Sequence, residues 1–165
     1  MSDKFKIVKI DYQYCDFLRK FDDKVCYNAG TKQLRPFIGV LFEINEKEYY
    51  APLSSPKAKH KLLKNKLDLI KIDGGNLGVI NINNMIPVNK KSYELFDLNK
   101  KTSDVNEIKR IKLLKEQLRW LNKNSLEVRK MSKTLYNLYA NNKLPDNVKN
   151  RCCNFILLEE KCELY

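Results

Sequence analysis

The chain has 165 residues, 43% of them hydrophobic, which is enough to build one substantial core and argues against disorder. No apolar run approaches the roughly 20 residues needed to span a bilayer, and the opening MSDKFKIVKI lacks the apolar core of a secretory signal. A membrane partner is therefore not expected, and the cytoplasm is the expected location. The 32 Lys and Arg against 20 Asp and Glu leave a net charge of +12, a balance suited to a densely anionic partner, although a composition rich in Lys, Asn and Ile also raises it.

In chain order, Lys6–Ile10 alternates like a strand, and Asp11 is placed to cap a short helix that turns Tyr14, Phe17, Leu18 and Phe21 inward. A polar loop over 24–36 (KVCYNAGTKQLRP) carries Tyr27, Lys32 and Arg35. The near-continuous apolar run 36–44 (PFIGVLFEI) reads as a central strand. Asn45, Glu46 and Lys47 make the turn, and 48–53 (EYYAPL) returns as the hairpin partner. A second hairpin is expected from 67–72 and 77–82 around Gly74, Gly75 and Asn76, with 85–88 extending or following it.

After residue 100 the period becomes helical. Val105, Ile108, Ile111, Leu114, Leu118 and Leu121 mark one face of a helix over 103–123. Ser125 caps the next, which carries Val128, Met131, Leu135 and Leu138 inward; Pro145 ends it, and 154–164 forms a last helix. Neither a repeat nor a linker divides the chain. Strands first and helices later give an α+β class: one compact domain over 1–165, with a twisted, mostly antiparallel sheet flanked by helices.

The five cysteines, Cys15, Cys26, Cys152, Cys153 and Cys162, include no CxxC and are odd in number, so reduced thiols are expected. The single histidine, His60, lies among Lys57, Lys59 and Lys61 without a partner at ligand spacing. Neither a metal nor another cofactor is expected, and a two-histidine ribonuclease mechanism is excluded.

Chemistry concentrates in 50–61, YAPLSSPKAKHK. Proline suits the first turn of a helix, which would put Ser55 at the N-cap and join free backbone N–H groups, Ser54, Ser55 and Lys57 into a phosphate cradle. The competing reading is an ordinary capping serine beside a solvated lysine face. Pairing of the two strands of the first hairpin brings Arg35 beside Ser54, Ser55 and Lys57, so four polar groups converge. Such groups suffice to cut RNA without metal or histidine, because the ribose 2′-OH is itself the nucleophile. DNA, lacking that hydroxyl, would be spared.

FDDKV (21–25), RPFIGVLFEI (35–44), YYAPLSSPK (49–57), LGVININNMIPV (77–88) and CNFILLEEK (153–161) resemble, in this order, the toxins of type III toxin–antitoxin systems, the ToxN/AbiQ/CptN group. The resemblance covers essentially the whole chain. It implies an endoribonuclease similar in fold to the MazF and Kid toxins, acting on cellular and phage RNA in growth arrest and abortive infection. It also implies a partner RNA, a repeated pseudoknot that the toxin cuts from a precursor and that holds it inactive in a closed assembly. The family's (Thr/Ser)-Ser-x-Lys element falls on Ser54, Ser55 and Lys57, its basic residue before the Phe-Ile-Gly strand on Arg35, and its loop tyrosine on Tyr27. Some members also use a tyrosine on the long helix, and the aligned stretch Lys115 to Arg119 has none.

Arg35 and Lys57 are thus expected to stabilise charge on the phosphorane, with Ser54 and Ser55 positioning the phosphate or the 2′-OH. Tyr27, Lys32, Lys59, His60, Lys109, Arg110, Lys112, Arg119 and Lys123 are expected to hold RNA. A non-catalytic, ribosome-associated RNA-binding module is the competing function. A DNA-binding regulator lacks a helix-turn-helix with its short glycine turn.

Overall fold

The structure is a computed structural model that describes residues 4–27, 35–64 and 66–165. Strand β1 (Lys6–Ile10) and helix α1 (Tyr12–Arg19) lead into β2 (Phe37–Gly39), β3 (Glu43–Ile44) and β4 (Lys47–Ser54). The short helix α2 (Ala58–Leu62) precedes four more strands: β5 (Ile70–Lys71), β6 (Val79–Ile80), β7 (Ile86–Val88) and β8 (Tyr93–Leu95). The chain closes with α3 (Val105–Lys123), α4 (Ser125–Ala140), α5 (Asp146–Lys149) and α6 (Phe155–Cys162). This is the expected α+β class. The strands form one antiparallel sheet of order β5-β6-β4-β2-β1-β8, with β3 and β7 also paired to β4.

Strand β4 organises the sheet. One edge pairs with β2 and β3, the other with β6 and β7. Its residues Tyr49, Tyr50, Ala51 and Leu53 are all buried, so both faces are covered, and this explains an apolar run without alternation. The run 36–44 is not the single central strand expected. Phe37 faces Pro52 and Ile38 faces Ala51, whereas Glu43 faces Glu48 and Ile44 faces Lys47. Residues 39–42 therefore oppose only Tyr49 and Tyr50, a bulge of two extra residues. Gly39 permits it: a Cβ there would lie 2.4 Å from the Tyr50 ring. The turn is the two-residue loop Asn45–Glu46, both at positive φ (49° and 65°), so Lys47 already belongs to the strand. Residues 86–88 do not extend the second hairpin; as β7 they pair with β4.

The helices cap as their sequences dictate, with small shifts. Asp11 accepts from the Gln13 N–H and Asp104 from those of Asn106 and Glu107, so α3 starts one residue after its aspartate. The N-cap of α4 is Asn124 rather than Ser125. Tyr14 and Leu18 are buried as expected, while Phe21 is exposed and meets Phe17 edge-on. Helix α6 packs on β7 and against α4. There Tyr49 stacks on Phe42 at 4.7 Å and meets Tyr136 and Phe155 edge-on.

Cys15, Cys152 and Cys153 are buried and unbridged; burial pushes the thiols of Cys15 and Cys152 up to about 12, which suits inert core residues. Among the described residues no helix is long and apolar enough to cross a membrane.

Candidate active site

The site begins where β4 leaves the sheet. Pairing of Phe37 with Pro52, continued by the Leu53 N–H donating to the Pro36 carbonyl at 2.9 Å, sets Arg35 opposite Ser54. Arg35 Nη2 then donates to Ser54 Oγ at 3.4 Å. On the other edge Ser54 pairs with Val79 of β6. The chain next turns so that the Asn81 N–H reaches the Pro52 carbonyl at 3.0 Å and Asn81 Nδ2 donates to Ser54 Oγ at 2.8 Å. This approach requires Gly78, which sits at φ +100°; a Cβ there would lie 1.9 Å from the Ser54 carbonyl oxygen.

Beyond Ser54 the structure corrects two expectations. Ser55 is exposed and lies outside the helix, whose N-cap is Lys57 (φ −132°, ψ 153°). Residues 55–57 lie outside helix and strand, so Ser55 is presented on a loop and does not cap. His60, expected to touch RNA, is 3% exposed. Its Nδ1 accepts the Lys57 N–H at 3.1 Å, so it holds the loop from within. Burial, then the Lys57 and Lys59 cations, hold its pKa below the ordinary histidine value, which keeps the ring neutral and able to accept.

The opposite wall is α3. Its Gln117 is buried, and Nε2 donates to the carbonyls of Leu77 (2.7 Å) and Ser54 (3.5 Å), tying the helix to both turns. Its Oε1 is buried with no donor among the described residues. Between strand end and helix runs a groove of about 480 Å³. Arg35, Ser54, Ser55 and Lys57 line one side; Asn106, Lys109, Arg110 and Gln117 line the other. The Arg110 guanidinium lies 5.1 Å from the Phe96 ring centre, and partial burial draws its pKa down, which leaves an arginine charged. Four cations and no carboxylate among the described lining residues make the groove strongly electropositive, and its hydroxyls and amides are able to orient an anion.

The expected RNA contacts divide. Lys109 and Arg110 line this groove, whereas Lys112 borders a separate one with Lys100, Lys101 and Lys115. Arg119, Lys123 and Lys59 are exposed and do not line it. Tyr27 is also outside the lining; it is 53% exposed and lies under the Arg19 guanidinium at 5.1 Å. Lys32 lies outside the described residues. Sequence reasoning missed Gln117, Asn106 and Asn81. For two of them a signal existed: Gln117 interrupts the apolar stripe between Leu114 and Leu121, and Asn81 stands inside a β-rich run that asparagine disfavours.

A family model described as "Toxin ToxN, type III toxin-antitoxin system" matches residues 6–163. The chain belongs to the ToxN family. The protein "Endoribonuclease ToxN" of Pectobacterium atrosepticum is 34% identical over 164 residues, 94% of this chain and 91% of that one. The "Endoribonuclease AbiQ" of Lactococcus lactis subsp. lactis is 32% identical, covering 93% of this chain and 85% of that one. The fold agrees with a chain solved in a study of toxin inhibition by a non-coding RNA pseudoknot, at TM-score 0.82 and 30% identity over 99% of this chain and 98% of that one. The matched range includes every residue that lines the groove.

Proposed function

We propose that this chain is a sequence-specific, metal-independent endoribonuclease, one toxin domain over 1–165 of a type III toxin–antitoxin system. The convergence of Arg35, Ser54, Ser55 and Lys57 on one cationic groove carries this reading, and ToxN family membership supports it. A scissile phosphate in the groove is met by two cations and two hydroxyls. The ribose 2′-OH attacks phosphorus while the bond to the 5′-oxygen breaks. The 2′-OH proton leaves to a base and the departing oxygen gains one, with Lys57 placed to give it. The products are a 2′,3′-cyclic phosphate and a 5′-hydroxyl, and DNA is spared for want of the nucleophile. Arg35 and Lys57 stabilise the charge that develops on the phosphorane, Ser54 and Ser55 orient the phosphate, and Lys109 and Arg110 hold the flanking backbone. A groove lined by cations repels a divalent metal, which is why metal independence fits.

The protein acts in the cytoplasm, as a variant of the arrangement in the MazF and Kid toxins. It cuts a precursor into pseudoknot antitoxin RNA and is held inactive by that RNA in a closed assembly, and its release arrests growth and aborts phage infection. The kinship with a solved toxin inhibited by an RNA pseudoknot supports this partner.

The test is incubation of purified protein with RNA in excess EDTA and analysis of product ends. Cleavage to cyclic phosphate and 5′-hydroxyl termini is expected. Binding without any product would leave only the RNA-binding module, and activity that returns on adding Mg²⁺ would overturn the mechanism.

A further inference from the structure

Ser54 Oγ receives two N–H donors, Asn81 Nδ2 at 2.8 Å and Arg35 Nη2 at 3.4 Å. A hydroxyl oxygen has two lone pairs and one proton. With both lone pairs engaged, the only hydrogen-bonding capacity left to the Ser54 hydroxyl is its O–H, and Ser54 borders the cationic groove. We infer that Asn81 is a positioning residue for cleavage: its amide fixes the Ser54 hydroxyl as a hydrogen-bond donor to the phosphate and keeps it from serving as an acceptor for the 2′-OH.

The geometry supports a fixed arrangement. Asn81 is held on both sides of its backbone, its N–H on the Pro52 carbonyl (3.0 Å) and its carbonyl accepting the Asn84 N–H (3.0 Å). The next residue but one, Asn83, donates to the Asp68 carbonyl at 3.0 Å and accepts the Cys153 N–H at 2.8 Å. The Asp68 carboxylate in turn is gripped by Arg151 through two contacts, 2.8 and 3.2 Å. The amide that aims Ser54 is therefore anchored to the C-terminal segment, far along the chain from the strand it serves. An O–H aimed in advance needs no reorganisation as charge builds on the phosphoryl oxygens, and that is where a preorganised dipole contributes most.

This inference rests on the proposal that Ser54 belongs to the cleavage site, and the test separates the two. Asn81→Asp keeps the shape and reverses the polarity: an ionised carboxylate accepts the Ser54 proton and turns it away from the groove. On a synthetic RNA that the wild type cuts, Asn81→Asp is expected to lower kcat by about 10²-fold with KM little changed. Activity should recover as pH falls and the acid regains a proton to donate. Asn81→Leu, which removes the donor without reversing it, is expected to cost about tenfold or less.

The deciding measurement repeats both substitutions on Ser54→Ala, where each is expected to add less than about twofold. Undiminished effects there would mean that Asn81 acts through charge or fold, and the inference fails while the site stands. Wild-type turnover in Asn81→Asp would mean that the amide accepts from Ser54, which also overturns it. Wild-type turnover in Ser54→Ala would remove Ser54 from the site and take both proposals with it. Should Asn81→Asp not fold, the Asn81→Leu cycle alone decides.

Discussion

At its amino-terminal end β4 lies between β3 and β7, and Tyr49 is enclosed by Phe42, Tyr136 and Phe155. A few residues on, the same strand ends between Arg35 and Asn81, and Ser54 meets amide and guanidinium partners. The first end is fixed by interlocking rings, where position follows from volume. The second is fixed by directed hydrogen bonds from three separate parts of the chain, through Arg35, Asn81 and Gln117. Shape decides one end of β4 and polarity the other.

Substitutions at the two ends should accordingly fail in different measurements. Tyr49→Ala should produce the largest effect, a loss of about 3–5 kcal/mol in denaturant unfolding, because a fully buried ring leaves a cavity. Cleavage per folded molecule should stay near wild type, and a specific kcat defect at full folding would blur the contrast. Lys57→Ala should do the reverse. Its side chain is exposed, so the melting temperature should hold while kcat falls by about 10²–10³, or roughly 3–4 kcal/mol of barrier. Near-normal turnover would place the chemistry elsewhere.

Gln117→Leu probes the tie between the polar end and α3 and should be intermediate. It removes the donor to the Leu77 and Ser54 carbonyls but also an unmet Oε1, so the two terms offset and stability should change by no more than about 1 kcal/mol. Cleavage should nevertheless drop, because the Ser54 turn loses its tie to α3; a stability loss with cleavage intact would assign Gln117 to the core alone.

The smallest effect concerns pH. The folded state lowers the His60 pKa, so it favours the neutral ring. That contribution is complete above the unfolded value of about 6.5 and is lost as pH falls through the lower folded value. Melting of the wild type should therefore weaken more between pH 7 and 5 than melting of His60→Gln, by less than about 1.5 kcal/mol, the worth of one hydrogen bond. An equal slope for both would show that folding does not lower the His60 pKa.

The contrast also explains what could be read in the sequence. The pairing of 37–44 with 48–53 is written in two apolar runs around a turn, and the meeting of Arg35 with Ser54 follows from that pairing alone. The bulge does not announce itself, because Val40, Leu41 and Phe42 are all good strand formers; the local path depends on Gly39 meeting the Tyr50 ring. The stripe of α3 misled at one end: Val105 and Ile108 are 62% and 48% exposed, whereas Leu114, Gln117 and Leu121 are buried. Periodicity finds a face without saying how far the sheet beneath it extends. Asn81 and Gln117 do stand out as polar breaks in a β-rich run and an apolar stripe, but composition and period do not encode which distant hydroxyl or carbonyl each of them bonds. Ser55 misled because a Ser-Pro pair also suits an extended loop, and His60 already satisfied the Lys57 N–H.

The two-residue bulge in 39–42 bears on how the hairpin tolerates insertions and deletions. Side chains alternate between the faces of a strand with a period of two, so an offset of two leaves Phe37 and Glu43 in phase with their partners, while an offset of one would invert everything beyond it. Length variation introduced at the Asn45–Glu46 loop meets this slack before it reaches Arg35. The tip of the hairpin can therefore be lengthened or trimmed in pairs of residues while the guanidinium stays opposite Ser54.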